Sequence, residues 1–141
     1  MRFFQLRDAS NQPIYDLFFA TNNDTGHEKM KEAMWKVDAS GTYSFSDGAD
    51  PSQQILFSPT PGADLAPRMS RDFRGRAVYA EEIYRHVSDT AYLEKHARDA
   101  LRILESTVAI SERIEVAAFK RDGTKRRSGS FPPDALVRFS G

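Results

Sequence analysis

Hydrophobic positions in the second half of the chain change period twice. Ile83 and Val87 stand four residues apart within Val78–Val87, the spacing of a short amphipathic helix. Ser88, Asp89 and Thr90 follow, and their side-chain oxygens favour caps and turns, so the helix is predicted to stop there and Asp89 or Thr90 to cap the next one. Leu93, Ala97, Leu101, Leu104 and Val108 then define one apolar face of a longer helix. Its other face is polar and carries Lys95, Arg98, Asp99 and Arg102. Beyond Ile110 the period becomes two, with Ile114, Val116 and Ala118 alternating with Glu115, Ala117 and Phe119, as in a strand. Lys120–Ser130 supplies Asp-Gly turn chemistry inside a run of cations, and Leu136–Phe139 is expected to return as the partner strand. Upstream, Leu65, Met69 and Phe73 predict a helix closed by Gly75, and Arg76–Val78 a short strand pairing with the hairpin. Helix, short strand, helix, helix and basic hairpin is the order of a winged helix-turn-helix.

The first half reads differently. Arg2–Arg7 and Ile14–Thr21 suit two strands joined by the turn-rich Asp8–Pro13. Phe18 and Phe19 are adjacent, so such a strand carries aromatics on both faces and calls for cover on both sides, which points to a missing partner. A helix follows with the stripe Met30, Ala33, Met34 and Val37, and Thr25 with Glu28 matches a capping box at its start. Trp35, beside that stripe, is expected to anchor packing. Tyr43 and Phe45, then Ile55–Phe57, predict a second hairpin. Pro59-Thr-Pro-Gly62 is the best internal boundary, since two prolines and a glycine deny both helix and ladder.

Composition sharpens this division. The chain has 141 residues and zero formal net charge, from 20 basic and 20 acidic residues. They are unevenly placed: residues 1–64 hold five Lys or Arg against nine Asp or Glu, and residues 65–141 hold fifteen against eleven. Positive charge is thus concentrated where a phosphate backbone could meet it. Without cysteine, the chain offers no disulfide, thiolate nucleophile, iron–sulfur cluster or Cys-based zinc site. No apolar run is long enough to span a bilayer, and Met1–Arg7 lacks the features of a signal peptide, so a cytoplasmic location is expected.

Catalytic motifs are not in view. His27, His86 and His96 have no helical metal-ligand spacing, and Asp47-Gly-Ala-Asp50 lacks the remaining oxygens of a calcium loop. Gly123-Thr-Lys-Arg-Arg-Ser128 lacks the frame of a phosphate-binding loop, and no serine has a nucleophile motif around it. The His27–Glu28 pair reads as the start of a capped helix, and no glycine sits in the strand-to-helix turn that a Rossmann-type methyltransferase uses. Neither a cofactor nor a metal is expected, and no methyl transfer by this chain. The signal that remains is basic. Lys120, Arg121, Lys125, Arg126 and Arg127 can neutralise phosphates from an extended tip, and Lys95, Arg98 and Arg102 can face a groove from the longer helix, although Glu94, Asp99 and Glu105 lie nearby.

Tyr15-Asp-Leu-Phe-Phe-Ala-Thr21, Gly26-His-Glu-Lys-Met-Lys-Glu-Ala-Met-Trp-Lys-Val-Asp38 and Phe45-Ser-Asp47 resemble the C-terminal portion of the three-Cys-motif partner (TcmP) family. The likeness continues through Thr90-Ala-Tyr-Leu-Glu-Lys-His96 and Ala100-Leu-Arg-Ile-Leu104. In that family a methyltransferase-like region precedes a winged helix-turn-helix, and the name comes from pairing with a phage-type protein bearing a three-cysteine motif. The resemblance implies that Arg2–Thr21 is the terminal hairpin of a methyltransferase-like sheet whose catalytic half is absent here, the chain being a truncated or stand-alone relative.

The expected fold is therefore α+β, a hairpin–helix–hairpin portion over 1–64 packed on a winged helix-turn-helix over 65–141. The expected function is noncatalytic binding of nucleic acid, double-stranded DNA first. The alternative is a protein-interaction or oligomerisation module that docks on a methyltransferase-like or three-Cys-motif partner, or forms a homodimer.

Overall fold

The computed structural model describes residues 2–10, 12–38, 44–46, 60–107 and 113–141. The fold is mixed α and β, in two compact units, Met1–Pro59 and Thr60–Gly141. Tyr43, Asp47–Asp50, Ile55–Phe57, Val108 and Ile110, which entered the sequence expectations above, lie outside the described residues.

In the first unit β1 (Arg2–Arg7) and β2 (Pro13–Phe19) form an antiparallel hairpin with Phe4 opposite Leu17 and Leu6 opposite Tyr15. Asp8 closes its turn by accepting from the backbone N–H groups of Ser10 and Gln12, both at 2.8 Å, a local bond that short acidic side chains favour. Helix α1 (Asp24–Val37) then carries the chain to β3 (Ser44–Ser46), which lies parallel to β1, giving the strand order β2-β1-β3. A parallel pair cannot be closed by a tight turn and takes a crossover, which includes α1; the partner expected for Phe45 in a second hairpin, Ile55–Phe57, lies outside the described residues. The helix starts two residues earlier than the Thr25–Glu28 box predicts. Asn23 is the cap, its side chain accepting from the Gly26 N–H at 3.0 Å, so Thr25 sits inside the first turn. Met34 is buried, whereas Ala33 and Val37 of the same stripe are exposed, and Lys31 is buried with its ammonium 3.4 Å from Glu28.

The second unit has its own core. Helix α2 (Pro61–Asp72) begins before Leu65, so Pro61–Asp64 belong to its first turn and the unit starts at Thr60. Leu65, Met69 and Phe73 are buried, and Gly75 leaves the helix at φ 69°, a left-handed turn that glycine adopts without a Cβ penalty. Strand β4 (Ala77–Tyr79), helix α3 (Ala80–Ser88), helix α4 (Glu94–Ser106), strand β5 (Ile114–Val116) and strand β6 (Leu136–Phe139) complete it. Central β6 pairs antiparallel with both β4 and β5, so Val137 lies opposite Val78 on one side and Val116 on the other. Ile83, Val87, Ala97, Leu101 and Leu104 are buried, as their spacing predicts.

Two local details differ from the sequence pattern. Neither Asp89 nor Thr90 caps α4: Leu93 holds that position, and His96 at the third helical position accepts the Leu93 N–H on Nδ1 at 3.2 Å. Thr90 serves the end of α3 instead, its hydroxyl donating to the Val87 carbonyl at 2.7 Å. The strand through Ile114 also ends at Val116, short of Phe119. The Asp122-Gly123 turn closes a separate small hairpin, bridged between Phe119 and Lys125, inside the longer excursion between β5 and β6.

Candidate nucleic-acid interface

The exposed face of α4 is set by the burial of its opposite side, where Ala97, Ala100, Leu101 and Leu104 pack into the core and leave Lys95, Arg98, Asp99 and Arg102 outward. Arg98 pairs with Glu94 and lies over the Tyr84 ring at 5.4 Å. Arg102 pairs with Asp99 at 2.6 Å and its Nε donates to the Gly129 carbonyl at 3.2 Å. Such exposed helix pairs are worth only about 0.3–0.5 kcal/mol, so an incoming phosphate can compete for either guanidinium.

The loop that follows the small hairpin faces this helix. Arg127, Ser128, Ser130 and Pro132 line one wall of an open cleft of about 620 Å³, with Arg98 and Arg102 on the other. Gly129 turns the loop at φ 71°, which a side chain would strain. Beneath the cleft the Tyr84 hydroxyl donates to the Phe131 carbonyl, and burial pushes that phenol above its usual pKa despite the opposing charge of Arg98, keeping it a neutral donor. Among the described residues no carboxylate pairs with Arg127, Lys95 or Lys125.

The basic run does not form a single patch. Arg121 leaves the cleft entirely, standing 4.1 Å over the Tyr79 ring and 3.8 Å from Glu81 at the start of α3. Lys120 stays near Asp122 at 3.9 Å. Lys125 is exposed on the small hairpin. Arg126 turns inward: its side chain is 7% exposed and pairs with Glu105, itself 22% exposed, on α4. Arg126 also donates to the Ala117 carbonyl at 3.3 Å and the Ser130 carbonyl at 2.8 Å, while the other Glu105 oxygen accepts the Gly129 N–H at 3.1 Å. This group of bonds fastens the loop to the helix. Of the cations singled out by sequence, the structure gathers Arg98, Arg102 and Arg127 at the cleft and uses Arg126 to hold its two walls together.

Sequence reasoning missed Glu105 and the Ser128–Ser130 backbone. Glu105 looks unfavourable toward phosphate when counted as a charge on α4, yet its charge is spent on Arg126. The one available signal was Gly129, a glycine within a polar run that marks a left-handed turn. Among the described residues no group of His, Asp or Glu could hold a metal ion, and no helix is long and apolar enough to cross a membrane. Comparison with protein-family models, with curated proteins and with solved structures returned no match to this chain.

Proposed function

We propose that Thr60–Gly141 is a winged helix-turn-helix that binds double-stranded DNA without catalysis, α4 serving as the docking helix and the β5–β6 excursion as the wing. One observation carries the reading: Arg98 and Arg102 from α4 and Arg127 from the excursion converge on one open cleft. Guanidiniums spaced along a groove suit consecutive phosphates, whose neutralisation releases counterions and makes affinity fall steeply with salt. The resemblance to three-Cys-motif partner proteins is in keeping with this assignment of the second unit. In fluorescence anisotropy with a short labelled duplex, Arg102→Ala and Arg127→Ala should each weaken binding to unrelated sequences alike and flatten the log-affinity against log-salt slope by about one. A slope unchanged in both variants would remove the assignment.

A second reading, an interaction module that completes a methyltransferase-like sheet or pairs with a second copy, is favoured by the first unit. There, among the described residues, β2 is an edge strand with Ile14, Tyr15, Leu17 and Phe18 exposed, and Leu17 with Phe4, Met30, Met34 and Val37 lines an apolar groove of about 240 Å³. Sedimentation of a strict monomer across the micromolar range, unchanged by a methyltransferase-like partner, would sink it.

A further inference from the structure

The small hairpin that carries the cations also presents an aromatic ring. Phe119 is 60% exposed and is bridged to Lys125 across the turn. Residues facing one another in an antiparallel pair send their side chains to the same face, with Cβ atoms about 4.5–5.5 Å apart. Lys125 and Phe119 therefore leave the backbone on the same face of the hairpin. The next side chain in line, Arg126, points the opposite way, into Glu105, so the Phe119–Lys125 face is the outward one.

The turn holding that face is firmly closed. The Lys120 N–H donates to the Thr124 carbonyl at 2.8 Å and the Gly123 N–H to the Lys120 carbonyl at 3.0 Å, with Gly123 at φ 81°. Asp122 accepts from both the hydroxyl and the N–H of Thr124, which holds its carboxyl below the usual range and keeps it an acceptor. An exposed ring on a closed turn, with a cation on the same face of the hairpin, offers the two things a nucleotide needs: a π face for the base and a positive charge for the adjoining phosphate.

We infer that Phe119 stacks on a nucleobase while Lys125 takes the neighbouring phosphate. The inference rests on the nucleic-acid reading of the arginine cleft and adds to it a contact with a base. The base comes either from an unpaired nucleotide or from a base-pair step opened within a duplex.

The full chain and its Phe119→Ala, Phe119→Leu and Phe119→Trp variants would be titrated against three oligonucleotides: a blunt duplex, the same duplex with a single-stranded overhang carrying 2-aminopurine, and the same duplex with 2-aminopurine at an internal flexible step. Stacking predicts that Phe119→Ala weakens binding roughly five- to tenfold, that Trp restores it and Leu does not, and that the wild type alters 2-aminopurine fluorescence where Phe119→Ala leaves it unchanged. A response confined to the overhang identifies the unpaired base, and a response at the internal step identifies the opened duplex. Wild-type affinity and fluorescence in Phe119→Ala, or full rescue by Leu, overturns the inference. If binding then still weakens on Arg127→Ala with a flatter salt slope, the cleft reading stands alone; if the wild type binds none of the three, both fall.

Discussion

At the scale of single residues, neighbouring arginines of identical chemistry have opposite tasks. Arg126 is enclosed by Glu105, the Ala117 and Ser130 carbonyls and the Phe131 ring 5.4 Å away, whereas Arg127 is exposed at the cleft. Removing the first leaves Glu105 partly buried without its countercharge, which typically costs several kcal/mol; removing the second strips a solvated surface group. Arg126→Ala should therefore lower the unfolding free energy by about 2–4 kcal/mol and Arg127→Ala by less than about 0.5 kcal/mol, as read from denaturant melts. Equal stability of the two variants would show that the Arg126 cluster holds nothing together. Sequence could not separate these two: both lie in Lys125-Arg-Arg127, and which one turns inward depends on the phase of a short hairpin whose bridge, Phe119 to Lys125, is visible only once the turn is folded.

Between elements, α2 packs closely against α4. Gly62 allows it, since a Cβ placed there would lie 2.8 Å from Asp99 Cβ and 3.2 Å from the Ala100 backbone nitrogen. Alanine in an open helix position is better than glycine by about 1 kcal/mol, but here it would push the helices apart. Gly62→Ala is expected to destabilise by about 1–3 kcal/mol, and because the displaced segment precedes Arg102 it should also disturb the cleft; a melting temperature equal to or above that of the native chain would refute the close packing. The elements themselves were largely legible. Ile83 with Val87, and Leu93 through Leu104, report their helices because burial on one side imposes a local period, and Leu136–Phe139 reports β6 for the same reason. What escaped was non-local. The parallel pairing of β3 with β1 depends on a crossover, and the meeting of Arg102 with the Gly129 carbonyl joins residues far apart in sequence; neither leaves a periodic trace.

On the scale of the molecule, the buried cluster running from Leu65 to Phe139 lies wholly within Thr60–Gly141. Expressed alone, that stretch should unfold in one cooperative transition and retain the duplex affinity of the full chain; a molten segment, with secondary structure but no cooperative melt, would contradict it. Charge divides with the units: Met1–Pro59 has five cations against eight carboxylates and Thr60–Gly141 fifteen against twelve. The modest excess in the second unit means that the proposed attraction to a polyanion would come from where its arginines stand more than from total charge. The bonds from Arg126 and Gly129 to Glu105 bear on this, because they set the two banks of the cleft at a fixed separation before any ligand arrives. If the cleft takes a phosphate backbone as proposed, a mould prepared in advance would lose little of its own freedom on filling, the ordering cost of association would fall on the ligand, and ligands would be selected by which backbone can be bent to match that spacing.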